Sequence, residues 1–246
     1  SETVGSDPRV GMRGVDCGMS KPIAVVTGAS RGIGRAIALR LGGEFEIAAL
    51  ARSQAELDEL RLEIEGHGGR CRTLVADVAD PGAVDRVLSG IDAQVLVNNA
   101  GIGAIKPFME LTRDEWRQMV DVNFNAMFDV TRAVLPPMIA RRSGHVVVIG
   151  SISGRSAFVG GSCYAATKAA VNAFSESLML ELRDSGIKVS VVNPGSVATG
   201  FGSGWSAKSW ALSAEAVADA VAQVIATPPN VLIHRMEIRT LTVPKK

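Results

Sequence analysis

The sequence predicts an α/β fold: a doubly wound parallel sheet of about seven strands in a single domain. Three observations carry this. Short apolar runs of β type alternate with helical patterns, which places helices on both faces of a parallel sheet. The first run passes through a glycine-rich turn straight into a helical pattern. The length of 246 residues, with 47% apolar and 21% charged residues, suits one large globular domain.

Residues 1 to about 20 contain Gly5, Pro8, Gly11, Gly14 and Gly18 without a periodic apolar face. They lack a signal-peptide core and are expected to be a flexible extension, with Met19 a candidate natural start. The folded domain is then 21–246. Ile23 to Thr27 is the first strand. Gly28-Ala-Ser30-Arg31-Gly32-Ile33-Gly34 follows, and Ile37, Ala38 and Leu41 continue as a helix. Glycine lets the backbone turn tightly and come close to a pyrophosphate, which the helix N-terminus faces with unpaired N–H groups. Phe45 to Ala51 is the second strand. Where an acid would hold the adenosine ribose of NAD, this strand ends in Arg52-Ser53. Arg52 and Arg31 are suited instead to a 2′-phosphate, which predicts NADP(H).

Gln54 to Glu65 is an amphipathic helix, Arg72 to Ala76 the third strand, Pro81 to Leu88 a helix and Ala93 to Val97 the fourth strand. Thr112 to Ala140 is a long helical stretch opened by the capping box Thr112-Arg-Asp-Glu115. Asn123 and Asn125 lie inside its apolar pattern, where a buried amide needs a local partner or a function. Pro136-Pro137 should kink or break it near its end. His145 to Ile149 is the fifth strand and carries Ser151 to its C-terminal side. Tyr164 and Lys168 stand one turn apart on one face of the next helix, which runs to Leu182 and is apolar or small around most of its girth. A phenol beside an ammonium is a proton-transfer pair: the cation should draw the phenol down from its ordinary value near ~10. Lys188 to Asn193 is the sixth strand, closed by Pro194-Gly195. Residues 196–212 are glycine-rich with Phe201, Trp205, Lys208 and Trp210, and are expected to be a flap over a substrate. Ser213 to Ile225 is a helix and Val231 to Ile238 the last strand.

A formal charge of +1 gives no reason to expect nucleic acid or an anionic membrane as partner. Cys17, Cys71 and Cys163 are scattered without metal-type spacing, so no metal is expected and the thiols fit a reduced, cytoplasmic protein.

In order, Thr27-Gly28-x-x-x-Gly32-x-Gly34, Asn98-Asn99-Ala100-Gly101, Asn123, Ser151 with Tyr164 and Lys168, and Pro194-Gly195 resemble the short-chain dehydrogenase/reductase family over about 21–240. The likeness is to its single-domain, Rossmann-type branch, near the 3-oxoacyl-acyl carrier protein reductases and 3-hydroxy acid dehydrogenases. The resemblance implies a catalytic set of Asn123, Ser151, Tyr164 and Lys168. Tyr164 would be the general acid/base, Ser151 would hold the carbonyl oxygen, Lys168 would bind the nicotinamide ribose, and Asn123 would hold a water behind Lys168. Ser153 rivals Ser151, and Asn125 rivals Asn123.

For the cofactor the resemblance implies Gly28, Ser30, Arg31, Gly32, Ile33 and Gly34 around the phosphates, Arg52 and Ser53 at the 2′-phosphate, and Asp77 and Val78 at the adenine. Asn99, Ala100 and Gly101 would line the ribose side, with Tyr164, Lys168, Pro194, Gly195, Val197 and Thr199 toward the nicotinamide. Ser153, Phe201 and Trp205 would meet a small carbonyl or alcohol substrate. A homotetramer or homodimer is expected. The resemblance implies an NADPH-dependent oxidoreductase that transfers a hydride to a ketone, aldehyde or 3-oxoacyl carbonyl; the alternatives are an NAD-dependent alcohol dehydrogenase working oxidatively and a non-catalytic nucleotide-binding regulatory protein.

Overall fold

The computed structural model describes residues 21–201 and 210–242. The expectations for the extension at 1–20, and those for Trp205 and Lys208, lie outside them. Seven strands form one wholly parallel sheet: β1 (Ile23–Thr27), β2 (Glu46–Ala51), β3 (Arg70–Val75), β4 (Ala93–Asn98), β5 (Gly144–Ile149), β6 (Ile187–Pro194) and β7 (Arg235–Ile238). The spatial order is β3-β2-β1-β4-β5-β6-β7. It reverses direction at β1 and β4, so a crevice opens beyond their C-terminal ends.

The helices are α1 (Gly32–Leu41), α2 (Gln54–Gly66), α3 (Pro81–Leu88), α4 (Arg113–Val120), α5 (Ala126–Arg141), α6 (Ser162–Leu182) and α7 (Ala214–Ile225). Alternate residues of the central strands feed two cores. Val26, Val97, Val147 and Val192 pack with Ile37 and Leu41 of α1 and Val221 of α7. Val25, Leu96, Val146 and Val191 pack with Val130 and Met138 of α5 and Val171 of α6. Strands covered on both faces carry apolar residues on both, which is why they read as unbroken apolar runs.

The helical stretch expected over 112–140 is two helices joined by a π-turn, Asp121–Asn125. Its capping box at Thr112 and Glu115 is formed. Pro136 and Pro137 do not break α5, which runs on to Arg141. Val134 and Met138, on either side of the prolines, are both fully buried, and this packing holds the last turns in place. The last strand is shorter than expected. The Val191 amide still donates to the His234 carbonyl at 2.8 Å, while one residue further back Ser190 Oγ donates to the Ile233 carbonyl at 2.7 Å, a side chain taking the place of the strand ladder.

That contact belongs to a buried cluster far from the crevice. His145 Nε2 lies 2.8 Å from Ser190 Oγ. Lys188 Nζ donates to the Thr227 and Pro228 carbonyls at 2.9 and 2.6 Å, a cation at the C-terminal end of α7. Burial, with the Lys188 ammonium nearby, pushes the His145 imidazole down to about 4. Unfolded, His145 takes up a proton near pH ~6.5. Its contribution to stability is therefore full above that pH and is lost as pH falls toward about 4, a loss on the order of 3 kcal/mol. Melting curves between about pH 7 and about pH 4.5 should show the wild type losing stability more steeply than His145→Gln. Parallel curves would contradict this assignment.

Candidate active site

Six strands end at one cavity of about 1080 Å³. Its lining takes Gly28 after β1, Arg52 and Ser53 after β2, Asp77 and Val78 after β3, Asn99 to Gly101 after β4, Ser151 after β5, and Pro194 and Gly195 around the end of β6.

The glycine turn is built for close approach. Gly28 adopts φ +64°, open to glycine and costly for other residues. A Cβ on Gly34 would stand 2.2 Å from the Gly28 carbonyl oxygen, so α1 packs directly on the turn. Thr27 and Asn99 stitch it to β4: Asn99 Nδ2 donates to the Thr27 carbonyl at 2.9 Å, and Thr27 Oγ1 accepts from the Asn99 and Ala100 amides at 3.0 Å. The first turn of α1 contains no acid, and Arg31 at its N-cap makes no side-chain cap. Its N–H groups are thus left for an anion, with Ser30, Arg31, Gly32 and Ile33 in the lining.

At the far end, Arg52 is exposed and 3.9 Å from Asp77. Ser53 caps α2 by accepting from the Glu56 amide at 3.4 Å. Glu56 also reaches the lining, so the Arg52 guanidinium shares this end with two carboxylates.

At the other end Tyr164 and Lys168 are both buried. Lys168 Nζ donates to the Ile149 carbonyl at 2.8 Å and lies 6.0 Å from the Tyr164 ring centre. Burial lowers the ammonium to about 8. Burial also raises the Tyr164 phenol above its ordinary value, and a hydrogen bond from Ser151 offsets part of that rise. The sequence pointed to Lys168 as the group that lowers the phenol. In the folded chain the ammonium donates to the Ile149 carbonyl, and the Ser151 hydroxyl is a group that lowers the phenol.

Ser151 Oγ accepts from the Ser153 amide at 3.1 Å, so the two rival serines hold different positions around one hydroxyl. Asn123 sits in the π-turn, a feature common at functional sites. Its Oδ1 accepts from the Ile102 amide at 2.8 Å, and its Nδ2 donates to the Ile102 carbonyl at 2.9 Å and to Thr167 Oγ1 at 3.1 Å. The mid-helix amide thus has its local partners, and it fixes the wall at Gly101 and Ile102. Asn125 bonds Asp121 instead, at 2.8 Å, outside this cluster.

Beyond Tyr164 the walls are Ile102, Ile105, Phe158 and Phe201, with Ser153, Ser156 and Gln118 as polar points. The Phe201 ring meets Tyr164 edge to face at 5.6 Å. A Cβ on Gly103 would stand 2.7 Å from that ring, so Gly103 leaves the notch it fills. The Ala198 amide donates to the Leu212 carbonyl, and the Leu212 amide to that of Ser196, which closes the base of the 196–212 loop. Val197 and Thr199 line the cavity from this loop.

The residues fit a nicotinamide dinucleotide. The cavity is long enough to join a phosphate-ready turn to a buried phenol and ammonium, and its glycines leave no Cβ in the way. The sequence reading missed Thr167, Ile102, Ile105 and Phe158. Their signals were weak: three are apolar residues in loops, and Thr167 acts only by bonding Asn123. Among the described residues no metal-binding cluster occurs, and no helix is long and apolar enough to cross a membrane.

A family profile described as short chain dehydrogenase matches residues 22–210. The 3-oxoacyl-[acyl-carrier-protein] reductase FabG of Salmonella typhimurium is 38% identical over 185 residues, covering 72% of this chain and 74% of that protein. The NADP-dependent 3-hydroxy acid dehydrogenase YdfG of Escherichia coli is 33% identical over 239 residues, covering 89% and 95%. A closed form of serine dehydrogenase complexed with NADP+ superposes with a TM-score of 0.82 at 32% identity, over 88% of this chain and 94% of that one. A 3-oxoacyl-[acyl-carrier protein] reductase from Brucella melitensis with bound NAD gives 0.81 at 29% identity, over 90% of each chain.

Proposed function

The chain belongs to the short-chain dehydrogenase family, and on that premise we propose that it is an NADPH-dependent reductase of small carbonyl compounds with Tyr164 as general acid. The observation that carries this is that Ser151, Tyr164 and Lys168, all buried, line one cavity with a phosphate-ready glycine turn.

The nicotinamide, when bound, supplies the hydride. Tyr164 gives its hydroxyl proton to the carbonyl oxygen as charge builds there. Ser151 holds the same oxygen by a hydrogen bond and steadies the phenolate that Tyr164 becomes. Lys168 binds the ribose and keeps a positive charge behind Tyr164. Asn123 acts one layer back, since its carboxamide is bonded to Ile102 and Thr167; any water behind Lys168 would then rest on its main chain. Asn99, Ala100 and Gly101 border the ribose, and Pro194, Gly195, Val197 and Thr199 the nicotinamide. Gly28, Ser30, Arg31, Gly32, Ile33 and Gly34 take the phosphates, and Asp77 and Val78 the adenine. The apolar walls at Ile102, Ile105, Phe158 and Phe201 favour an apolar or mixed carbonyl compound over a highly polar one, with Ser153 as a polar contact.

Arg31, Arg52 and Ser53 support NADP(H). Arg52→Ala should lower kcat/KM with NADPH about tenfold, the scale of one charge-assisted hydrogen bond, and leave NADH nearly unchanged. The Glu56 and Asp77 carboxylates favour a second reading, an NAD-linked alcohol dehydrogenase, because a carboxylate suits a ribose hydroxyl and repels a phosphate. Equal turnover with both cofactors in the wild type would move the assignment to that reading.

A further inference from the structure

We propose that Asn193 is a positioning residue that sets Ser151 against Tyr164. This deepens the reading above and rests on Ser151 acting at the reacting oxygen. Asn193 lies near the end of β6, immediately before Pro194-Gly195, and is fully buried. Its Oδ1 accepts the Ser151 amide at 3.0 Å. The β5–β6 ladder reaches only Ile149 paired with Val192, and the Gly150 amide bonds the Val192 carbonyl. The next amide, that of Ser151, has left the regular ladder and takes a side chain instead of a carbonyl.

Gly150 makes this possible. A Cβ there would stand 2.2 Å from Asn193 Oδ1, so the bare glycine and the carboxamide occupy one space between them. On the other side, Lys168 Nζ holds the Ile149 carbonyl. Residues 149–151 are therefore fixed at both ends, by Lys168 at the carbonyl of 149 and by Asn193 at the amide of 151. The Ser151 hydroxyl, which lines the cavity together with Tyr164, stands on this clamped backbone.

The Nδ2 of Asn193 is buried without a hydrogen-bond partner. An apolar residue of similar size would avoid that cost. What only an acceptor at this position provides is the bond to Ser151.

Tyr164 is the only tyrosine in the chain, so its ionisation can be read directly from the tyrosinate absorbance. Asn193→Ala should loosen Ser151 and move the Tyr164 titration to higher pH, since the Ser151 hydroxyl lowers it. It should lower kcat about tenfold with carbonyl KM and NADPH affinity unchanged. In a Ser151→Ala background the same substitution should change neither quantity further. Gly150→Ala displaces the carboxamide without removing it and should reproduce the pattern, which provides a second route if Asn193→Ala folds poorly.

Equal losses in both backgrounds would make Asn193 a packing residue and overturn the proposal, as would a wild-type kcat and Tyr164 titration in both variants. Full turnover in Ser151→Ala alone would sink the role of Ser151 in the function proposed above, and this inference with it. Additive losses beside an impaired but measurable Ser151→Ala would sink the inference alone.

Discussion

Tyr164→Phe is expected to reduce carbonyl turnover by about 10²- to 10⁴-fold, the contribution of one placed general acid, while NADPH binds as before. The substitution removes only the hydroxyl. The ring packs with Met119 and Cys163 and meets Phe201 edge to face, and phenylalanine keeps those contacts. The loss should therefore fall on kcat, with little change in melting temperature. Retained turnover would mean that the proton comes from elsewhere, and the buried pair at Tyr164 and Lys168 would then have no assigned task. Loss of NADPH binding along with turnover would mean that the ring change had disturbed the cavity.

Gly34→Ala should be the most damaging substitution at the cofactor end. Its Cβ would stand 2.2 Å from the Gly28 oxygen, 2.8 Å from the Gly28 carbonyl carbon and 2.4 Å from Asn99 Nδ2. Asn99 can swing away, but the Gly28 carbonyl is backbone in a turn fixed by Thr27 and Asn99. The N-terminus of α1 must back off from the turn. We expect NADPH affinity to fall by about 100-fold or more and stability by about 1–3 kcal/mol, the usual range for an overpacked site. Gly66→Ala is the control: nothing lies within 4 Å of its Cβ, and both quantities should stay near wild type. Equal behaviour of the two variants would contradict the close packing of α1 on the glycine turn.

The sheet was legible because its strands are buried on both faces. Val25, Val26, Leu96, Val97, Val146 and Val147 each face one of two cores, so the sequence shows apolar runs that helical stretches separate. The glycine turn and the Tyr164–Lys168 pair were legible because spacing alone places them at an α1 N-terminus and on one face of α6. The break at Asp121–Asn125 was not, since a π-turn inserts no glycine or proline and leaves the apolar pattern almost intact. The prolines at 136 and 137 misled in the other direction: their local penalty is outweighed by the burial of Val134 and Met138. Interactions between distant segments were the least legible. That Lys168 turns its ammonium to the Ile149 carbonyl depends on where the end of β5 lies against α6. That Asn193 reaches the Ser151 amide depends on the β5–β6 register. No residue spacing within one segment encodes either.

The most direct test of the account is a fluorescence titration of the protein with NADPH and with NADH. Binding of both should be saturable at one site, with NADPH the tighter, and the preference should shrink in Arg52→Ala. Tighter binding of NADH would contradict the assignment of Arg31 and Arg52 and favour the NAD-linked dehydrogenase. Binding of neither would contradict the reading of the cavity as a dinucleotide site.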